Sequence, residues 1–313
     1  MATQGKTKTR EASPKVTVVI PTLNAERYMT ELLAAIHRQT LQPYEIIVVD
    51  SASNDRTAEI CRDDGNVKLI RIKREEFNHG GTRDMALRYS NGDFVVFFSQ
   101  DALPFDPESL MRLTERLGQD GIAVCTGRQI ARNDAGVIEK LVRAYNYPET
   151  GNVRSKKDLP KLGIKTYFCS NSFSAYDRKI YLELGGFENN VLSNEDMLYA
   201  AKAINNGYKA AYCADAKVYH SHDYSLMEMF ARHFRQGYEI ERHWKQLGNI
   251  SLESEGMQMF RAVGRRLLSQ GRVLSFMRFG TQCTVKLLGN RIGRFKAGNC
   301  NLKDNAAKLM TFH

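Results

Sequence analysis

Apolar runs with no polar alternation set the strongest limit on how this chain can fold. Residues 16–20 read VTVVI, 46–49 read IIVV and 94–98 read FVVFF, with a mixed run, KLIRI, at 68–72. Neighbouring side chains on a strand point to opposite faces, so a strand apolar at every position must be covered on both sides. Between the runs the periodicity turns helical: over 25–39, with Leu32, Leu33 and Ile36 on one face, over 57–62 and over 82–90. The order β-α-β-α-β-α-β predicts an α/β fold, a Rossmann-like, mostly parallel sheet flanked by helices. Ligands of such sheets gather at the carboxyl ends of the strands. The residues there are Pro21, Thr22, Leu23 and Asn24, then Asp50 and Ser51, then Ser99, Gln100 and Asp101, so these are expected to converge on one crevice.

Beyond Asp101 the pattern loosens. It predicts a helix at 107–117, a strand near 122–130, a loop or helix to 160, a short strand at 166–169 and a helix end and turn at 182–187. A helix opening at Asn194 and ending at Gly207 leads to a strand over 210–220 that finishes in His220-Ser-His222. The remainder reads as helical pieces broken at Gly271, Gly280 and Gly289. Three parts follow: a flexible leader over 1–14, a catalytic domain over 15–245 and a basic helical extension over 246–313. The net charge of +10 resides in the last part, where residues 256–313 hold eleven Lys or Arg against Asp304 alone. Six scattered cysteines without a Cys-x-x-Cys pair indicate neither a disulfide framework nor structural zinc. The polar leader has no signal-peptide character, so a cytosolic protein is expected.

Residues 75–84, EEFNHGGTRD, have the makings of an anion seat. Gly80 and Gly81 let the backbone approach a ligand, Thr82 can cap the following helix, and Arg83 with free N–H groups would meet a diphosphate. A capped surface helix after a glycine turn reads the same locally. Asp101, just past an apolar strand, is costly to bury unless it binds something, and a divalent metal is the economical answer. His220 and His222 share a strand face and can converge on such a ligand; imidazole favours manganese as well as magnesium. Two hydrogen-bonded, partly exposed histidines are the plainer alternative. Glu195 and Asp196 stand at a helix start, where acids are favoured for structural reasons; Asp196 could also take a proton from an attacking hydroxyl.

Taken in order, PTLN, VVDSASNDRT, FNHGGTRD, FFSQDA, GGFEN, NED and VYHSH resemble family 2 glycosyltransferases with the GT-A fold over roughly residues 15–245. Within that family the set is most similar to the bacterial rhamnosyltransferases that use dTDP-L-rhamnose. The resemblance implies an inverting transferase acting on a hydroxyl of a cell-surface glycan precursor. It places Pro21, Thr22, Leu23, Asn24, Asp50 and Ser51 at the nucleoside, Gly80, Arg83 and Gln100 at the nucleotide sugar, and Asn78 and His79 where the sugar is chosen. Asp101 takes the last position of the metal-binding Asp-x-Asp, with His220 or His222 completing a Mg2+ or Mn2+ site. Asp196 becomes the base, with Asn194 and Glu195 on the acceptor side. The first acid of Asp-x-Asp is Ser99 here, which puts metal dependence in question. Asp84 replaces a frequent asparagine and would retune how Arg83 is held. No Gln-x-x-Arg-Trp follows His222, which favours addition of one or a few sugars over long polymers.

The basic extension carries no nucleic-acid motif, and no apolar run reaches the roughly 20 residues that span a bilayer. An anionic membrane surface is its expected partner, through Arg261, Arg265, Arg266 and Arg272, which puts the enzyme on the inner face of the cell membrane beside a lipid-linked glycan. A helical cap on the catalytic domain or on a partner subunit is the alternative, and the oligomeric state stays open. Three rival functions stand beside this one: a UDP-sugar transferase, a nucleotidyltransferase, and a non-catalytic sugar-nucleotide or glycan-binding subunit. The second lacks its Gly-rich loop after strand one; the retained Asp196 speaks against the third.

Overall fold

A computed structural model describes residues 14–248 and 253–299; most of the expected leader, Cys300, Lys303, Asp304 and Lys308 lie outside the described residues. The first half follows the predicted alternation: β1 (Val16–Thr22), α1 (Glu26–His37), β2 (Glu45–Asp50), α2 (Thr57–Asp63), β3 (Val67–Arg71), α3 (His79–Tyr89) and β4 (Phe94–Phe98). Then come β5 (Leu103–Pro104), α4 (Ser109–Thr114), β6 (Ile122–Ile130), α5 (Val137–Asn146), β7 (Asn152–Arg154), α6 (Leu159–Leu162), β8 (Phe173–Asp177) and α7 (Arg178–Glu183). The rest is α8 (Glu195–Asn205), β9 (Lys209–Tyr219), α9 (Leu226–Arg242), α10 (Trp244–Leu247), α11 (Glu253–Ser269) and α12 (Val273–Asn299).

One sheet runs β3-β2-β1-β4-β8-β6-β9-β5, with β7 on β9. The first four strands are parallel, β8 is antiparallel to both β4 and β6, and β6 and β9 are again parallel. Both faces are buried, as the unbroken apolar runs require. Val18, Ile20, Val48, Val96 and Phe98 pack with Met29, Leu32 and Ile36 of α1 and Leu110 and Leu113 of α4. Their neighbours Val19, Ile47, Val49, Val95 and Phe97 pack on the other side with Ala86 and Leu87 of α3 and Leu198 and Tyr199 of α8. The described cysteines are free thiols, and all but the half-buried Cys283 are buried.

Three local expectations need correction. α3 starts at His79 rather than near Thr82: Asn78 is its cap, accepting from the Gly81 N–H, and the two glycines lie inside the first turn. Residues 166–169 are not a strand; a 3-10 turn over Gly163–Tyr167 stands there, and the strand that enters the sheet is β8. The extension breaks at Gly271, where φ is +69°, but α12 continues through Gly280 and Gly289. Gly289 and Gly293 lie directly against the α9 backbone at Phe230 and Phe234, and Gly237 of α9 lies against Asn290. Absent side chains let the two helices touch backbone to backbone, so these glycines serve packing and not breakage.

A Cβ at Gly293 would overlap the Phe234 carbonyl, with no flexible atom to yield. Gly293→Val is therefore expected to lower the urea-unfolding free energy by about 1–3 kcal/mol. Gly298→Ala, where nothing lies within 4 Å, should leave it unchanged or slightly raised.

Candidate active site

The loops after β1, β2 and β4 are tied into one wall. The Gln100 side-chain amide grips the Leu23 backbone twice, accepting from its N–H at 2.8 Å and donating to its carbonyl at 3.1 Å. Asn24, in the left-handed region at φ 50°, accepts from the Asn54 N–H at 2.9 Å and donates its own N–H to Ser53 Oγ at 2.8 Å. Asp50 is fully buried; its carboxylate takes bonds from Ser53 and Thr22, with Arg71 at 3.5 Å. What this strand end presents is thus the loop that Asp50 shapes, not a free carboxylate. Ser51 Oγ is buried without a partner among the described residues, a polar atom left open in the wall.

Past β4, Asp101 meets the end of β9. Its Oδ1 lies 3.3 Å from His220 Nε2 and its Oδ2 3.6 Å from His222 Nδ1, and one ligating atom from each residue falls within 4.8 Å of the others. Burial lowers the basicity of both imidazoles, His222 down to about 3, so both are neutral near pH 7. Burial works against ionising Asp101, and only positive charge shared with His220 and His222 outweighs it, holding the carboxyl at about 2. His220 Nδ1 lies 2.8 Å from Gln129 Oε1. That oxygen also accepts from Arg143, which can only donate, so the Gln129 amide orientation is fixed and Nδ1 carries the ring proton. The bare Nε2 then faces a carboxylate oxygen, two acceptors with no proton between them. A cation resolves that opposition, and two neutral imidazoles with one ionised carboxylate are a fitting donor set for a divalent metal.

The third cluster lies where the N-termini of α3 and α8 meet. Arg83 and Glu195, both buried, form an ion pair at 3.3 Å, and Arg83 also donates to the His79 carbonyl at 3.1 Å. Asn171 joins the two acids: its side chain donates to Glu195 Oε1 at 3.0 Å and its backbone N–H to Asp196 Oδ2 at 2.9 Å. Burial disfavours a charge on Glu195, but Arg83, His79 and Asn171 outweigh it and hold the carboxyl below its usual range. Asp196 is half-buried and goes the other way: burial and then the Glu195 charge push it up to about 7, despite N–H bonds from Asn171 and Met197. Two adjacent carboxyls are thereby split into a permanent anion and a proton acceptor poised near neutrality.

One short segment spans the last two clusters. Ser170 Oγ accepts from Gln129 at 2.9 Å, Asn171 holds Asp196, and the Ser172 carbonyl accepts from the Ser99 N–H at 3.1 Å. The metal-type triad and the two acids therefore stand on one wall.

Several expected site residues have partners within the protein. Gly80 brings the helix against the Glu188 carbonyl, and Arg83 pairs with Glu195. Asn78 is a helix cap, while His79 is exposed beside Phe77. Asp84 does not touch Arg83; it accepts from Tyr181 at 2.9 Å and pairs with Arg88 at 2.7 Å. Asn194, left-handed at φ 65°, donates to the Gln236 carbonyl of α9 at 3.4 Å. Gln129, Arg143 and Asn171 escaped sequence reading because each acts across long chain separations. Arg132, which donates to the Asp101 carbonyl at 2.7 Å, was missed for the same reason. No helix among the described residues is long and apolar enough to cross a membrane.

Residues 17–185 match the family model described as glycosyl transferase family 2. The chain is 42% identical over 224 residues, 71% of each chain, to the O-antigen chain rhamnosyltransferase RfbN of Salmonella typhimurium. It is 41% identical over 226 residues, 72% of this chain and 71% of the relative, to WbaN of Salmonella anatum, also an O-antigen chain rhamnosyltransferase. Among solved structures, the Pyrobaculum calidifontis mannosyltransferase PcManGT with GDP-Man and Mn2+ superposes with a TM-score of 0.63 at 20% identity, covering 91% of this chain and 88% of that one. Residues 1–349 of Staphylococcus aureus TarS with UDP-GlcNAc give 0.54 at 20% identity, covering 90% and 92%. Both likenesses are of fold, and they agree with the GT-A architecture expected from the strand pattern.

Gln129→Ala removes the acceptor that orients His220. Titration calorimetry with Mn2+ is expected to show affinity weakened about 10–100-fold, the usual cost of losing a partner behind a metal ligand.

Proposed function

The chain belongs to glycosyl transferase family 2 and is a glycosyltransferase, and we propose that it moves L-rhamnose from dTDP-L-rhamnose onto a hydroxyl of a cell-surface glycan precursor. The rhamnose assignment is supported by two relatives at 42% and 41% identity that carry that activity in their names. The observation that carries the mechanism is the division of labour between Glu195 and Asp196. Asp196, raised to about 7, accepts the proton of the acceptor hydroxyl as that oxygen attacks the anomeric carbon from the face opposite the nucleotide, so the configuration inverts.

Positioning completes the task. Backbone donors from Asn171 and Met197 hold the two Asp196 oxygens, which fixes the carboxylate plane while leaving a lone pair for the incoming proton. Arg83 keeps Glu195 ionised, and Glu195 in turn makes Asp196 a stronger base. Asp101, His220 and His222 would hold a divalent cation, Mg2+ or Mn2+, which when bound supplies positive charge to the departing diphosphate. Ser51, with its unpartnered hydroxyl, and the backbone of residues 22–24 line the nucleoside end of the wall. The acceptor in this reading is a lipid-linked glycan at the inner face of the cell membrane, with exposed Arg261, Arg265, Arg266 and Arg272 turned to the anionic leaflet.

Asp196→Asn is expected to lower turnover about 100- to 10,000-fold, the usual contribution of a general base, while donor affinity measured by calorimetry stays within error. Full turnover in that variant would remove Asp196 as the base. In the native enzyme kcat/KM should rise through an apparent pKa near 7 to an alkaline plateau. Glu195→Gln removes a negative neighbour, so the limb should move to lower pH; a shift to higher pH contradicts the assigned coupling. In a thermal-shift panel with Mn2+, dTDP-rhamnose should stabilise the protein more than UDP- or GDP-sugars. A preference for UDP-sugars would overturn the donor.

A further inference from the structure

α12 is apolar on two sides, and packing accounts for one of them. Its inner side buries Phe279 against Val263 and Leu267 of α11 and presses Gly289 and Gly293 on α9. On the outer side stand Leu274, Met277, Leu288, Ile292 and Phe295, among them Leu274 at 83%, Met277 at 63% and Phe295 at 73% exposure. At 100° per residue these five fall within an arc of about 60°, and the stripe they make is about 32 Å long. Thr281 and Thr284 lie on the same side of the helix, and their hydroxyls donate back to the Met277 and Gly280 carbonyls, at 3.3 and 3.0 Å, which satisfies the polar atom inside the helix itself. Exposed Arg278 and Lys296 flank one edge of the stripe and Arg291 the other. Residues 256–299 contain nine Lys or Arg and no acid.

We propose that α12 lies in the plane of an anionic membrane, with the Leu274-to-Phe295 stripe sunk at the headgroup–acyl boundary and Arg278, Arg291 and Lys296 on the lipid phosphates. An apolar stripe with cationic edges on a helix too polar to span a bilayer is the pattern of an interfacial helix. A second copy of the chain is a poorer occupant, because closing two such faces on each other brings the cationic edges together, and the acid beside the stripe, Glu241, is already paired with Arg294. The proposal deepens the membrane-side reading of the acceptor by naming the face that meets lipid. It extends the contact from Arg261, Arg265, Arg266 and Arg272 to the stripe of α12.

The test is co-sedimentation of the full chain with vesicles of phosphatidylglycerol and phosphatidylethanolamine, against vesicles of phosphatidylcholine alone. The native chain should pellet with the anionic vesicles and scarcely with the neutral ones. The combined variant Leu274→Glu, Met277→Glu, Ile292→Glu and Phe295→Glu should reduce the bound fraction about tenfold or more, with the far-UV circular dichroism spectrum and the unfolding midpoint unchanged. If that variant fails to fold, Leu274→Cys carrying an environment-sensitive dye should shift to the blue on adding anionic vesicles. Undiminished binding by the combined variant, no shift of the dye, or a dimer in light scattering that the glutamates dissolve would each overturn the proposal. Neither donor nor acceptor enters the experiment, so a wrong assignment of the transferred sugar leaves its outcome untouched.

Discussion

Two carboxyls side by side at the start of α8, in surroundings that exclude most water, set the terms for the rest of the site. Left alone, one of them would simply stay protonated, because two close buried anions repel each other and neither is solvated. The fold answers asymmetrically. Arg83, carried in by the first turn of α3, lies 3.3 Å from Glu195 and keeps it ionised, while Asp196 receives backbone N–H groups but no ion pair of its own. The glycine at position 80 matters here because it lets α3 approach the 188–191 segment closely enough for Arg83 to reach across. Everything that fixes α3 against α8 therefore feeds into the basicity of one carboxylate. Tyr181 is one example, with its hydroxyl donating to Asp84 and accepting from the Phe187 N–H.

The sheet that carries these helices was legible because its signal is local. Unbroken apolar runs ending in polar residues fix strand, burial and ligand edge together, and the meeting of Asp101 with His220 and His222 follows from their places at strand ends. What was not legible is what depends on partners far along the chain. Arg83 reads as an anion contact because nothing near it in sequence announces Glu195. β8 is short and rich in small and polar residues, FSAYD, yet all but Asp177 is buried between β4 and β6, so its burial comes from pairing and not from its own composition. The glycines of α12 read as helix breakers, since a sequence does not show that a second helix waits against them.

Gln129 illustrates the same limit at the level of chemistry. A glutamine near the end of a strand carries no signal, yet by fixing the proton of His220 it decides which nitrogen faces Asp101. The reading of Ser99-Gln-Asp101 as a weakened metal motif also changes in this light. In the proposed metal site two neutral imidazoles would take part of the donor role of a second carboxylate, with less negative charge at the site.

α9 begins just after His222, and its buried Glu239 accepts from the Leu192 N–H at 2.9 Å while its Gln236 carbonyl holds Asn194. The stretch leading into Asp196 is thus braced by α9, and α9 is braced in turn by the glycine-lined seam with α12. A seam of backbone against backbone has no long side chains to take up slack, so the two helices form a stiff splint behind the segment that leads into Asp196. Stripping away α12 would bare that seam and loosen the splint, which makes this helix a condition for a steadily placed Asp196.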